Sequence, residues 1–497
     1  MFRTLLVANR GEIACRVIRA CRELGVRTVA VHSDADADAL HVRLADAAVA
    51  IGPAPSQQSY LRQEAILEAA ERAGAEAVHP GYGFLSENAG FARAVGKAGL
   101  VFVGPPPEAM EALGDKVAAR KLAVREGVPV SAGSEGAVKD ADEALAVARR
   151  VGFPVMLKAA GGGGGMGLRV ARSEAELPRL FADASAQALS AFGNGAMFVE
   201  KYLERPRHIE VQILADAHGH VIHLGERECS IQRRHQKLLE EAPSPALSEA
   251  MRQSVGTMAV KLARAGGYRN AGTMEFLLQD GAFHFNEVNA RLQVEHPVTE
   301  MVTGADLVRW QLRIAAGEEL SLRQEDVRLR GHAIEFRINA EDPLHDFRPS
   351  PGPVRRLRVP DGEGVRVDHG LREGWTVPSH YDSLVAKVIV HGATRGEALA
   401  RSRGALSHLE IRGFPTNRDL HLLLLSDPAF RKGELSTRFL EERPVLADLR
   451  ARAAAHAEEA RRRAVALAAA LAQAPEGGIG TLHHRHTTPA RVPRRDA

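Results

Sequence analysis

Cysteine is scarce in this 497-residue chain: Cys15, Cys21 and Cys229 are the only three, and no two of them form a CxxC pair. A disulfide framework is thereby excluded, and a reducing cytoplasm is the expected setting. Cys15 and Cys21 fall in an apolar, helical stretch and belong to the core. Long hydrophobic runs are lacking too. None approaches the ~20 residues of a membrane span, and the apolar run in "MFRTLLVANRGE" is too short for a signal peptide. No charge of one sign dominates. Lys and Arg number 65 against 62 Asp and Glu, a net +3 that argues neither for nor against a nucleic-acid partner. Two nucleotide signatures are missing as well. No GxGxxG follows the first strand, which disfavours a dinucleotide fold, and no GK[ST] closes the glycine run, which excludes a P-loop. What is present is an ordinary globular composition, 45% hydrophobic and 26% charged, with length for about three domains.

Residues 1–110 alternate short apolar runs ("TLLVA", "RTVAVHS", "DAAVAIG", "AEAVHPG", "LVFVGP") with amphipathic helices. One helix carries Ile13, Val17, Ile18, Cys21 and Leu24 on one face, and another starts at about Asn88. That βα alternation predicts a mostly parallel sheet. "VGPPPEAM" marks a boundary, and 111–130 reads as a linking helix. Residues 131–203 form a small α/β unit around a glycine run; from 204 the signature turns to hairpins, through 330 and again over 331–445. The remainder, 446–497, is a strong helix by propensity followed by a basic, disordered tail. His483, His484 and His486 sit in that tail, where nothing nearby builds a rigid metal shell.

Five stretches are candidates to carry chemistry. In "FNEVNARLQVEHPVTE" (285–300), Glu287, Asn289, Arg291, Gln293 and Glu295 alternate with Val288, Ala290, Leu292 and Val294. An extended chain puts the first set on one face. This is either a half-buried strand with a solvated side or a site holding metal, phosphate and a small anion. In "LKAAGGGGGMGLRV", five glycines, 161–165, follow Lys158 between two strand-like segments. They are either a linker or a loop whose N–H groups approach an anion. Glu275 and Glu287 flank the turn at Asp280-Gly281. A two-residue turn pairs Glu275 with Asn286 and puts Glu287 on the other face, so a shared Mg²⁺ predicts an odd-length loop with a bulge at Gly281. "ERECSIQRRHQK" (226–237) gathers Gln232, Arg233, Arg234, His235 and Lys237, which also suits a solvated basic loop; "HPGYGFLSEN" (79–88) is a glycine-punctuated loop with an exposed Tyr82.

Together "NRGEIACR", "HPGYGFLSEN", "GDKVAAR", "KAAGGGGGMG", "ERECSIQRRHQK", "GTMEFL", "EVNARLQVEHPVTE", "EFRINAEDP", "PSPGPV" and "HYDSLVAKVI" resemble the biotin carboxylase family of ATP-grasp enzymes, in family order from residue 2 to 445. The resemblance implies an α/β and α+β fold: an N-terminal parallel-sheet domain, an ATP-grasp lid and core, and a C-terminal antiparallel β domain. It implies a reaction in which MgATP (or MnATP) phosphorylates bicarbonate to carboxyphosphate, which carboxylates biotin. By the same resemblance Lys116 and Lys158 hold phosphates, with Gly163, Gly164 and Gly165 as a lid. Glu200, Lys201 and Leu203 lie at the adenine, and His208, Gln232 and His235 near the ribose and phosphates. Glu275, Glu287 and Asn289 bind Mg²⁺. Lys237, Arg291, Gln293 and the backbone of Val294 cradle bicarbonate, with Glu295 as base. Arg337 stabilises the enolate-like biotin oxygen, and Tyr82 and Gly83 touch biotin.

The resemblance has two departures. Met166 stands where the family carries Lys or Arg, and methionine cannot pair with phosphate, which bears on lid closure. Ala290 replaces Thr or Pro, on the non-catalytic phase. No Met-Lys-Met biotin-attachment motif is present. The expected partners are therefore a separate biotin carboxyl carrier protein and carboxyltransferase subunits, with a homodimer, no nucleic acid and no membrane. The final acceptor is expected to be acetyl-CoA or another acyl-CoA; the alternative is a two-subunit pyruvate or 2-oxo acid carboxylase. The helix over 447–473 exceeds the family core and is expected to dock a partner protein.

Overall fold

A computed structural model describes residues 1–159 and 168–472. Gly163, Gly164, Gly165, Met166 and the three tail histidines lie outside the described residues. The chain divides into two compact units, 1–447 and 448–497. In the second, the described residues continue the helix Val445–Ala472, and nearly every side chain over 451–469 is exposed.

The first unit begins with the expected parallel sheet, in the order Ala47–Gly52, Arg27–Ser33, Thr4–Val7, Ala77–His79, Val101–Phe102. The first strand shows why it is apolar throughout. Leu5 and Val7 pack with Ile13, Val17 and Ile18 of the helix Gly11–Glu23. Leu6 packs on the other face with Ile66, Phe91 and Val95 of the helices Gln63–Arg72 and Ala89–Lys97. A parallel strand covered by helices on both sides has no wet face to mark by alternation. Asn88 starts the last of these helices by accepting the Phe91 N–H at 2.8 Å.

Where the sequence reads one linking helix there are two, Pro107–Gly114 and Lys116–Arg125. Asp115 separates them in extended conformation and caps the second through the Ala118 N–H at 2.8 Å. A lid follows, with the antiparallel strands Arg169–Ala171, Val155–Ala159 and Met197–Lys201 backed by the helices Ala141–Val151 and Leu177–Phe192.

The largest sheet of this unit among the described residues is eight-stranded and wholly antiparallel: Ala282–Asn289, Asn270–Gln279, Arg207–Ala215, Val221–Arg233, Gln236–Ala242, His332–Asn339, Leu384–Gly392, Val365–His369. It runs without a break from the ATP-grasp-like strands into those after residue 331, because Gln236–Ala242 pairs directly with His332–Asn339. One face buries an apolar layer that includes Val211, Ile213, Met274, Phe276 and Val288. The other carries charge.

Candidate active site

The hairpin Asn270–Gln279/Ala282–Asn289 settles the register question in an unexpected way. Asp280 and Gly281 have φ of 52° and 78°, and Gln279 pairs with Ala282. The turn thus has two residues, of the type in which both central φ values are positive, and the odd-length loop is not formed. Yet Glu275 stands opposite Glu287, because the register shifts between Phe276↔Phe285 and Glu275↔Glu287. Asn286 is the extra residue of a β-bulge within the strands. One unpaired residue flips everything beyond it to the other face, so both glutamates and Asn289 share a side.

The strand stops at Asn289, so 287–295 is not one extended segment. Residues 290–295 bend away, and Glu295 ends them at the N-terminus of the helix His296–Thr303. The polar side chains still converge. Glu275 Oε1 accepts from Asn289 Nδ2 at 2.7 Å and from Gln293 Nε2 at 3.0 Å. Its Oε2 meets His208 Nε2 at 2.9 Å, and Gln232 Nε2 meets the other nitrogen of that ring at 2.7 Å. Arg291 forks between Glu87, 2.8 Å from Nε, and Asn289 Oδ1 at 2.8 Å. The Lys237 ammonium lies 2.8 Å from Glu295 and 3.1 Å from Glu275, and also contacts Glu210. Arg337 completes the row, giving 2.9 Å to Glu295 and 2.6 Å to Glu240.

These groups are almost dry: Glu210, Glu275, Glu295 and Glu240 are each 3% exposed or less. Burial opposes every charge here, so partners decide which acids stay ionised. For Glu295, Lys237 and then Arg337 outweigh burial and hold the carboxyl well below its usual range. For Glu275 the same is done by Lys237 and His208. For Glu210, Glu240 and Glu335, burial prevails and pushes the carboxyls up. Carboxyls pushed in opposite directions within a few ångströms are what acid–base sites require. Among the described residues, His208, Glu210 and Glu275 also bring ligand atoms together as a metal site would. Lys237 already supplies the cation between these acids.

Much of this lines one cleft of ≈ 1180 Å³; Glu210, Glu240 and Glu335 lie behind its wall. Its charged wall includes Lys116, Lys158, Glu275, Glu287, Asn289, Arg291, Gln293, Glu295, Arg337, His208, Gln232, His235 and Lys237; Met156, Val170, Leu203 and Leu277 line it with apolar surface. Two lysines are already paired: Lys116 with Glu287 at 3.0 Å and Lys158 with Glu200 at 2.6 Å. Glu200 is also met by Arg120 at 3.3 Å. Lys201 borders the cleft, but its ammonium bonds the carbonyls of Gly152 and Phe153 at 3.0 and 2.8 Å. Tyr82 is half-buried rather than exposed, because its hydroxyl turns inward to Glu12. Gly83 and Val294 border the same cleft. The loop is held by Asn9, which donates to the carbonyls of Pro80 and Tyr82 at 2.7 and 2.8 Å. A Cβ at Gly81 would come within 2.8 Å of that amide, and φ there is +63°.

Several residues escaped the sequence reading. Glu87 holds both the Ala290 N–H, at 2.9 Å, and Arg291. Arg227, with 0% exposure, bonds Gln293 at 2.6 Å, Gln212 at 2.7 Å and Thr299 at 3.0 Å. Glu210, Gln212, Arg227 and Glu240 had little local signal: Glu210 and Gln212 alternate with apolar residues in "HIEVQIL", Arg227 lies between Glu226 and Glu228, and Glu240 adjoins Glu241.

Three family signatures cover most of the chain: the biotin carboxylase N-terminal domain over 1–110, the carbamoyl-phosphate synthase L chain ATP-binding domain over 115–323, and the biotin carboxylase C-terminal domain over 335–442. The chain belongs to the biotin carboxylase family. It is 55% identical to the biotin carboxylase of Pseudomonas aeruginosa over 444 residues, 89% of this chain and 99% of that one. It is 54% identical to a pyruvate carboxylase subunit of Methanothermobacter thermautotrophicus, covering 89% and 90% of the two chains. Among solved structures it superposes with TM-score 0.87 on the biotin carboxylase domain dimer of Hydrogenobacter thermophilus 2-oxoglutarate carboxylase, crystallised with MgADP, ADP and bicarbonate, at 50% identity over 90% and 98% of the chains. The Campylobacter jejuni biotin carboxylase in its β,γ-ATP complex gives the same TM-score, 0.87, at 45% identity over 89% and 99%. Within the family, the parallel-sheet domain and the large antiparallel sheet of this chain are the expected ones.

Proposed function

We propose that this chain carboxylates biotin, presented on a separate carrier protein, with bicarbonate and ATP, as the biotin carboxylase subunit of an acyl-CoA carboxylase. The observation that carries the chemistry is the row of contacts Glu275–Lys237–Glu295–Arg337, in which metal ligand, anion site, base and oxyanion donor converge from the strands Asn270–Gln279, Gln236–Ala242 and His332–Asn339 and from the bend before His296. The apolar side of the cleft suits the flat adenine, with Glu200 and Leu203 at its edge. Lys116 and Lys158 exchange Glu287 and Glu200 for phosphate oxygens. Glu275, Glu287 and Asn289 fit Mg²⁺ or Mn²⁺ by their chemistry: hard oxygen donors on one face of a hairpin, in register and open to the cleft. Held by these residues, a divalent ion would supply charge neutralisation to the phosphates.

Arg291, Lys237 and the Val294 amide receive bicarbonate, and Glu295 takes its proton. The carboxylate of Glu295 is held ionised by Lys237 and Arg337, and its basicity rises as those cations turn to the incoming anions. Arg337 then faces the ureido oxygen of biotin, beside Tyr82 and Gly83, as oxyanion donor. A second reading, the equivalent subunit of a 2-oxo acid carboxylase, is favoured by two similarities: 54% identity to the Methanothermobacter pyruvate carboxylase protein and 50% identity to the 2-oxoglutarate carboxylase small subunit of Hydrogenobacter thermophilus. The half-reaction is the same in both.

The test is ADP release by the purified chain with Mg²⁺, ATP and bicarbonate, with and without biotin. The expected result is release dependent on both biotin and bicarbonate in the parent, and its loss in Glu295→Gln with ATP binding intact. Biotin-independent release in the parent would refute the proposal.

A further inference from the structure

The proposed function gives bicarbonate a backbone donor at Val294 and a base at Glu295, and these residues lie on a turn before the helix His296–Thr303. Its backbone bonds are long: the His296 N–H reaches the Gln293 carbonyl and the Val298 N–H the Glu295 carbonyl, each at 3.3 Å. Two buried side chains add shorter bonds that fix two consecutive peptide planes. His296, 0% exposed, lies 2.7 Å through Nδ1 from the carbonyl of Gln293. A carbonyl only accepts, so that nitrogen carries the proton. The other ring nitrogen makes no hydrogen bond among the described residues, with Glu300 Oε2 3.9 Å away. Lys387, also 0% exposed, donates from Nζ to the carbonyl of Val294 at 2.8 Å.

In a trans peptide the C=O and N–H point in opposite directions. Drawing the Gln293 oxygen inward onto His296 therefore turns the Val294 N–H outward, toward the cleft that Val294 lines. Drawing the Val294 oxygen onto Lys387 fixes the next plane, the one that delivers Glu295. Lys387 is itself held by Glu12 at 3.2 Å, and Glu12 receives the Tyr82 hydroxyl. A single line of contacts thus joins the bicarbonate bend to the loop proposed to meet biotin. Lys387 also stands directly across the strand pair from Arg337.

We propose that His296 and Lys387 are positioning residues for the anion step: they set the Val294 amide and the Glu295 carboxylate in the orientation that bicarbonate needs, without touching substrate. The inference rests on the proposed function, and its test keeps the two apart. The KM values for bicarbonate and for ATP are measured on the full chain for the parent, His296→Leu, His296→Asn and the pair Lys387→Met/Glu12→Gln. The asparagine amide reaches the place of Nδ1 and can donate to the same carbonyl; leucine cannot.

Misaligned reacting groups cost up to about 10²-fold. The expected result is a bicarbonate KM raised by about tenfold or more in His296→Leu, an ATP KM within about twofold, and recovery in His296→Asn. If His296→Leu fails to fold, the Lys387→Met/Glu12→Gln pair carries the test, since it removes opposite charges together and is expected to give the same split. An unchanged bicarbonate KM in folded variants would overturn the inference. So would KM values for ATP and bicarbonate that rise in step, with leucine and asparagine alike. An inactive parent would overturn the reading of the site itself.

Discussion

The two large sheets bury opposite things. In the parallel sheet, Leu5, Leu6, Val7, Val29, Ala30, Val31 and Val78 are all at 0% exposure, and the interior is mostly hydrocarbon, with Thr28, Ser33 and His79 as neutral exceptions at the strand ends. In the antiparallel sheet, Glu210, Gln212, Arg227, Glu240, Glu335 and Lys387 are buried to the same degree. Burying charge is expensive even when it is paired, and an apolar replacement of equal volume is often as stable or more so. Stability therefore accounts for the first sheet and fails to account for the second. What the second gains is a set of charges whose orientation solvent cannot relax, the condition for electrostatic catalysis. The parallel-sheet domain reaches the cleft from beyond its strands, through Asn9, Arg10, Glu12, Tyr82 and Gly83, and holds Arg291 through Glu87.

If that division is right, substitutions in the two sheets should separate activity from stability. The largest effect belongs to the charged sheet. Arg337→Ala should lower biotin carboxylation by roughly 10²–10³, the cost of one oxyanion donor, while ATP binding persists; unchanged turnover would remove Arg337 from the mechanism. The next belongs to the apolar sheet. Leu6→Ala should cost about 2–5 kcal/mol of unfolding free energy, read from urea midpoints, with kcat and both KM values near those of the parent at a temperature where the variant is folded. A selective loss of activity there would break the comparison from the other side.

The same contrast explains what the sequence makes legible. Parallel strands read correctly because local apolar runs suffice for them. Much of the cleft's polar lining is legible because its residues cluster in short motifs, Glu287 to Glu295 above all. Its geometry is not. The bulge at Asn286 adjoins Phe285, whose N–H is taken by the carbonyl of Pro129 at 2.7 Å, a contact across more than 150 positions that no local rule contains. The end of the strand at Asn289 likewise depends on Glu87, which takes the Ala290 N–H. Glu210, Arg227 and Glu240 stayed hidden because local sequence does not set them apart from polar neighbours such as His208, Glu226, Glu228 and Glu241; only non-local pairing brings them together.

The smallest expected effect is on pH dependence, and here the two sheets should pull in opposite directions. His79, at the end of its parallel strand, is fully buried between Gln311 Oε1 at 3.2 Å and the Gly81 N–H at 3.0 Å. Burial lowers its pKa from 6.5 to about 4. Above the upper value both folded and unfolded chains hold the ring neutral; below it the unfolded chain takes a proton that the native ring refuses, so stability falls as pH falls. Glu335 has the reverse sign. Burial raises its carboxyl well above 4.5, so its contribution is complete below that value and is lost as pH rises through the folded pKa. His79→Gln should therefore flatten the acid loss of stability, by on the order of 1–2 kcal/mol near pH 5. Glu335→Gln should remove a loss on the alkaline side, gaining on the parent as pH rises. Urea midpoints across that range decide it. If both variants shift the profile the same way, the carboxyl is ionised in the native sheet, and the charged interior is better compensated than its unpartnered oxygens indicate.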